Sequence, residues 1–208
     1  DNPFFWDLAA FCFHHTASDH VLFPNAKERS WTNAIEKTIV GNAWIESMKS
    51  LSNVEKQIWV NRLPEQLRVS IPENYFKNMM MNWDQVREMS RNGIGFGGHT
   101  MSHPILNQIP LDQAFTEIKG SKERIEKELG EKILSFAYPN GMSNNFNSDI
   151  ELITSKAGYR AAFTLLNGPT LLREVKGNPY AIRRIFISHT HTLSNFAALT
   201  SYINRYRK

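Results

Sequence analysis

From Asn82 onward, short apolar runs alternate with amphipathic stretches, and this alternation is what most limits the fold. Asn82 is a good helix N-cap with Gln85 three residues on, and Trp83, Val86 and Met89 come after it at helical spacing. Gly93 fits a C-terminal stop. The run I-G-F-G, ending at Gly97-Gly98, reads as a short buried strand. Pro110 can open the next helix in its first turn. Leu111, Phe115, Ile118, Ile125 and Leu129 share one face of it, and Gly130 ends it. I-L-S-F-A-Y reads as a strand stopped by the turn signal Pro139-Asn140-Gly141. A helix over Ser148–Lys156, a strand over 159–166, a strand over 182–188 and a last helix marked by Phe196, Leu199, Ile203 and Tyr206 complete the series. Strands alternating with helices imply βα units and a parallel sheet or barrel, hence an α/β fold.

The stretch before Asn82 reads differently. Phe4, Phe5, Leu8, Ala9 and Cys12 recur at helical spacing, and Ser52-x-x-Glu55 is a capping-box pattern. Pro64 and Pro72 punctuate the residues after it, and no strand pattern stands out between Lys27 and Lys77. Its Trp and Phe content calls for a packing surface.

Composition narrows the classes. The 208 residues suffice for one good-sized domain with a real core. No apolar run approaches the roughly 18–20 residues that span a bilayer, so no transmembrane segment is expected. The first residues show no basic and apolar leader pattern. The single cysteine, Cys12, excludes an internal disulfide and a Cys-rich zinc cluster. The net charge of +4 is scattered, with a small basic cluster at Arg205, Arg207 and Lys208, so nucleic acid is not an expected partner.

In folds of this kind, chemistry gathers on the loops at the carboxyl ends of strands. The stretch G-H-T-M-S-H-P places His99 and His103 just past one strand end. Imidazole is a frequent zinc ligand, and two at this spacing can face one ion. H-x-x-x-H alone is a weak signal in a chain with seven histidines, and two loop histidines with no ligand fit it as well. Tyr138 to Gly141 lie just past the next strand end. A turn there can leave backbone N–H groups pointing into a cleft, where they stabilise a developing oxyanion. A plain β-turn accounts for the same residues.

Five pieces in order, M-N-W-D-Q-V-R-E-M, G-F-G-G-H-T-M-S-H-P-I-L, E-I-K-G-S-K-E-R-I-E-K-E-L-G, F-A-Y-P-N-G and A-G-Y-R-A-A-F-T, span Met81 to Gly168. This stretch closely resembles the polysaccharide deacetylase family, the NodB-homology group of carbohydrate esterases. The resemblance implies a distorted (β/α) barrel of the NodB-homology type, here lacking its first strands. Residues 1–76 would be a helical insertion packed on the barrel and residues 77–208 its C-terminal part, one domain overall. It implies removal of N-acetyl groups from the amino sugars of a polysaccharide or oligosaccharide. It implies a divalent metal, zinc first, held by two histidines and an aspartate, with a second aspartate as base on the metal's water. Carried onto this chain, His99 and His103 are the metal-binding imidazoles. The backbone N–H of Asn140 helps hold the oxyanion, and Tyr138 and Pro139 shape the substrate groove. Zinc would lower the pKa of its water to about 7 and polarise the acetamide carbonyl.

The match has gaps. The family's T-F-D-D-G motif, which supplies both aspartates, is absent, and no Asp-Asp pair occurs in the chain. Its place in the family lies upstream of the insertion, so the expectation is a chain lacking its N-terminal part. Asp7 and Asp19 are weak substitutes. Ala137 stands where a motif arginine is frequent, and the later D-x-x-D-W motif is not recognisable. In place of the final L-x-H motif stands I-S-H-T-H-T, which makes His189 a candidate general acid by position, although exposed loop histidines fit the same spelling. Arg184 could face a site carboxylate or plain solvent. The competing expectation is a deacetylase-like module that lost its aspartates and only binds glycan or scaffolds partners.

Overall fold

The alternation beyond Asn82 takes the form of a three-stranded parallel sheet with helices between its strands. In the computed structural model, which describes residues 3–201, the chain divides into two units, 1–82 and 83–208.

The second unit opens with α4 (Trp83–Arg91), named after the three helices of the first unit. The chain leaves α4 through a Schellman turn: Gly93 has φ +87°, its N–H donates to the Ser90 carbonyl, and the Ile94 N–H donates to Met89. A single 3-10 turn (Leu106–Gln108) precedes α5 (Leu111–Leu129), which closes on Gly130 in the left-handed region at φ +71°. Then come β3 (Ser135–Ala137), α6 (Ser148–Lys156), β4 (Ala161–Asn167), α7 (Leu172–Gly177), β5 (Ile182–Arg184) and α8 (Leu193–Thr200). The order across the sheet is β3-β4-β5, all parallel, with Ser135 opposite Ala161 and Phe163 opposite Ile182. Residues Ile203 and Tyr206, expected on the last helix, and the basic cluster at Arg205, Arg207 and Lys208 lie outside the described residues.

One sheet face is buried. Phe136 and Ala162 pack with Ala114 and Ile118 of α5 and Ile150 of α6, all nearly inaccessible, and Tyr138, Tyr159 and Leu106 join that core. This is the alternation a strand uses to bury one face. Burying these side chains is the main stabilising term of the unit.

The fold is mixed α/β, as the periodicity predicts, but the described residues form no closed barrel. Two expected strands are shortened. In I-G-F-G only the next residue, Gly98, pairs, through one isolated parallel bridge to Phe136. Gly95 and Gly97 offer no side chains to pack, and Ile94 is half exposed. At 182–188 the ladder ends at Arg184, because the Phe186 N–H turns to the Asn167 side chain at 3.0 Å instead of a backbone carbonyl.

The first unit contains α1 (Phe5–His15), a hairpin of β1 (His20–Leu22) and β2 (Glu28–Ser30), α2 (Ala34–Met48) and α3 (Asn53–Gln66). The Ser52–Glu55 capping box forms in both directions. The aromatic residues have their own core, with Trp44 fully buried among Phe11, Phe13, Trp31 and Leu63. Cys12 is buried there, and burial pushes its thiol up to about 11, which removes it as a nucleophile. Strand β2 corrects the expectation of no strand after Lys27. Its residues are all exposed and show no alternation, and pairing with β1 fixes them rather than their own pattern.

Gly98 is the tightest point of the second unit. An added Cβ would overlap the Tyr159 hydroxyl and meet the Ser121 Oγ at 3.1 Å. Gly98→Ala is therefore expected to destabilise by about 1–3 kcal/mol in urea unfolding, the usual cost of overpacking.

Candidate metal-binding loop

The site begins with that glycine. The Gly98 N–H donates to the Ser135 carbonyl and the Gly98 carbonyl accepts from the Ala137 N–H, both at 2.9 Å. His99 comes directly after this pairing and turns toward β3. Its Nδ1 lies 2.7 Å from the Ala137 carbonyl oxygen. A carbonyl can only accept, so Nδ1 of His99 carries a proton, and in the neutral ring Nε2 then holds the lone pair. This is how outer-shell carbonyls prepare histidine ligands. The ring of His103 stands 4.9 Å from that of His99, centroid to centroid, at an interplanar angle of 72°.

The turn joining the two histidines is unusual backbone. Thr100 and His103 have φ of +66° and +59°. A β-branched residue in that region costs on the order of 1–3 kcal/mol and persists only where its surroundings hold it. The Thr100 Oγ1 accepts the His103 N–H at 3.1 Å. Glu117 of α5 accepts the Met101 and Ser102 N–H groups, both at 2.8 Å, and the Ser102 hydroxyl at 2.6 Å. Behind Gly98, the buried Tyr159 hydroxyl donates to the Ile118 carbonyl at 3.3 Å, and burial pushes it up to about 12. The mostly buried Lys122 lies 4.9 Å over the Tyr159 ring and pairs with Glu126 at 2.8 Å.

The second loop is joined to the first through Ala137. Asn140 is half-buried at φ +58°, and its backbone N–H has no protein acceptor among the described residues. The Gly141 N–H is taken by the Pro139 carbonyl at 2.7 Å. Tyr138 is only 1% exposed, with its ring stacked on Phe146 at 4.7 Å and its hydroxyl donating to the Tyr180 carbonyl. Burial holds that hydroxyl well above the ordinary tyrosine range. Tyr138 and the buried Pro139 therefore present backbone to the loop, with their side chains inside.

The remaining candidates are not gathered here. His189 is exposed in the turn after β5 and makes no side-chain bond to His99 or His103 among the described residues. The Arg184 Nε donates to the Thr164 carbonyl at 2.6 Å, a structural role. Asp19 holds the Nδ1 of His20 at 2.8 Å in the first unit, and Asp7 lies in the first turn of α1. Among the described residues, no three His, Cys, Asp or Glu side chains are grouped to hold a metal ion. The rings of His99 and His103 thus stand side by side, with no third such side chain grouped with them among the described residues. Glu117 and Ser121 lie in E-I-K-G-S-K-E-R-I-E-K-E-L-G and Tyr159 in A-G-Y-R-A-A-F-T, pieces that carry the resemblance without giving these residues a role; only the spacing of Glu117 and Ser121 on one face of α5 hints at a shared task.

Residues 60–162 match the family model of polysaccharide deacetylases. Over this stretch the chain is similar to the polysaccharide deacetylase family. YxkH of Bacillus subtilis strain 168, which carries the polysaccharide deacetylase name, is 26% identical over 115 residues, 55% of this chain and 39% of YxkH. The chain thus spans about two-fifths of the length of this curated relative. A Bacillus anthracis structure bearing the same family name superposes with a TM-score of 0.54 at 26% identity, covering 62% of this chain and 39% of the other. The Streptococcus pyogenes deacetylase PplD, solved in complex with acetate, shares the fold with a TM-score of 0.54 at 22% identity, covering 69% and 64% of the two chains.

Among the described residues the Asn140 side chain makes no hydrogen bond, and its left-handed backbone is what constrains the position. Asn140→Gly should leave urea stability within about 0.5 kcal/mol, whereas Asn140→Val should cost about 1–2 kcal/mol.

Proposed function

We propose that this chain serves a metal-dependent hydrolase that removes N-acetyl groups from the amino sugars of a polysaccharide. The observation that carries the reading is the His99 Nδ1 to Ala137 carbonyl bond, which leaves Nε2 as a donor atom beside the His103 ring. Similarity to the family supports the substrate class. The acetate in the PplD structure is a product of the kind such a reaction releases.

The reaction adds water to the acetamide carbonyl, breaks the carbon–nitrogen bond and leaves acetate and a free amine. His99 and His103 would hold the divalent ion, most simply zinc, with further ligands that the described residues do not supply. When bound, such an ion lowers the pKa of a water and polarises a carbonyl. The Asn140 N–H would donate a hydrogen bond to the carbonyl oxygen as negative charge grows there, at no cost in reorganisation. Tyr138 and Pro139 would hold that N–H in place by anchoring the turn in the core. His189 would be the acid that protonates the leaving nitrogen. The parallel sheet would be part of the distorted barrel of the NodB type.

Release of acetate from an N-acetylated amino-sugar polymer, with Zn2+ present and the full-length gene product as enzyme, is the test. His99→Ala should reduce the rate to background. Release at the parent rate by His99→Ala would overturn the reading.

A further inference from the structure

Glu117 lies on α5, outside the histidine loop itself, and its geometry points to a specific task. Its carboxylate takes three donors from the turn between the two histidines: the Met101 N–H, the Ser102 N–H and the Ser102 hydroxyl. An ionised carboxylate offers about four lone-pair sites, so most of its capacity is spent on the turn. This makes Glu117 an anchor for the turn and leaves little capacity for a metal ion. The turn needs an anchor, because Thr100 and His103 both occupy the left-handed region. Hydrogen bonds to an ionised acceptor are short and directional, which suits that purpose. The anchor itself is fixed: Ala114, Ile118 and Ser121 on the adjoining turns of α5 are buried in the core.

We propose that Glu117 is a positioning residue that sets the spacing and orientation of His99 and His103, and through them the affinity of the loop for a divalent cation. This rests on the metal-binding reading of the histidine pair. A helix-surface carboxylate that merely stabilises the turn would change melting temperature and leave metal affinity alone. Outer-shell partners of histidine ligands characteristically change affinity about 10–100-fold.

The test is Zn2+ titration of the chain against a chromogenic chelator, with Tm measured alongside. The variants are Glu117→Gln, His99→Ala and Tyr180→Phe. Tyr180→Phe loses the hydroxyl bonds to Ser155 and to the Tyr159 carbonyl, and it measures what general loosening of this unit does to affinity. Glu117→Gln should weaken Zn2+ binding about tenfold or more, Tyr180→Phe should not, and His99→Ala should abolish the loop's binding. Parent affinity in Glu117→Gln, with binding lost in His99→Ala, overturns the role of Glu117 and leaves the metal pair standing. Parent affinity in His99→Ala overturns the metal reading, and this inference with it. Should Glu117→Gln fail to fold, Ser102→Ala removes one of the three bonds without touching the helix. It should weaken Zn2+ about threefold at unchanged Tm, and unchanged affinity there overturns the inference.

Discussion

The site depends on the pairing of one residue, Gly98, with β3. Its carbonyl takes the Ala137 N–H, and the Ala137 carbonyl is thereby turned to take the Nδ1 of His99. One backbone ladder thus ends directly in the orientation of an imidazole. Only glycine can sit there, since the Tyr159 hydroxyl occupies the space a Cβ would need. Tyr159 belongs to the core that buries Phe136 and Ala162. Core packing, sheet pairing and the histidine tautomer are therefore links of one chain.

Helix α5 supplies the second support, from a narrow stripe. Ser121 backs the Gly98 contact through the Tyr159 hydroxyl, and Glu117, one turn earlier, grips the turn between the histidines. Ordinary amphipathic packing of the helix sets both. A left-handed Thr100 beside a charged anchor is the kind of local conflict expected where chemistry, rather than stability, selects the backbone.

Much of this is legible in the sequence. Helix α6 begins and ends at the residues its pattern marks, and Gly93 and Gly130 stop α4 and α5 as left-handed C-terminal glycines should. The family is legible because H-T-M-S-H-P and F-A-Y-P-N-G keep their order and spacing. The hairpin strand at Glu28 is not, because an all-exposed strand leaves no alternation to read. The length of the strands at 94–97 and 182–188 is not, because apolar composition does not say where a ladder loses its partner. The resemblance makes Tyr138 a groove wall, whereas its ring lies in the core. Glu117 stands in one of the resembling pieces, but its anchoring role is invisible because a carboxylate that binds backbone N–H groups across a loop leaves no sequence spacing of its own.

The proposed function turns on His99 presenting Nε2, beside His103, to a divalent ion. The most direct measurement is the long-range 1H–15N spectrum of the histidine side chains, with and without Zn2+. His99 should be protonated at Nδ1 in the free protein, and Zn2+ should shift the nitrogen resonances of His99 and His103 together. A His99 protonated at Nε2, with neither ring shifted by Zn2+, would contradict this role.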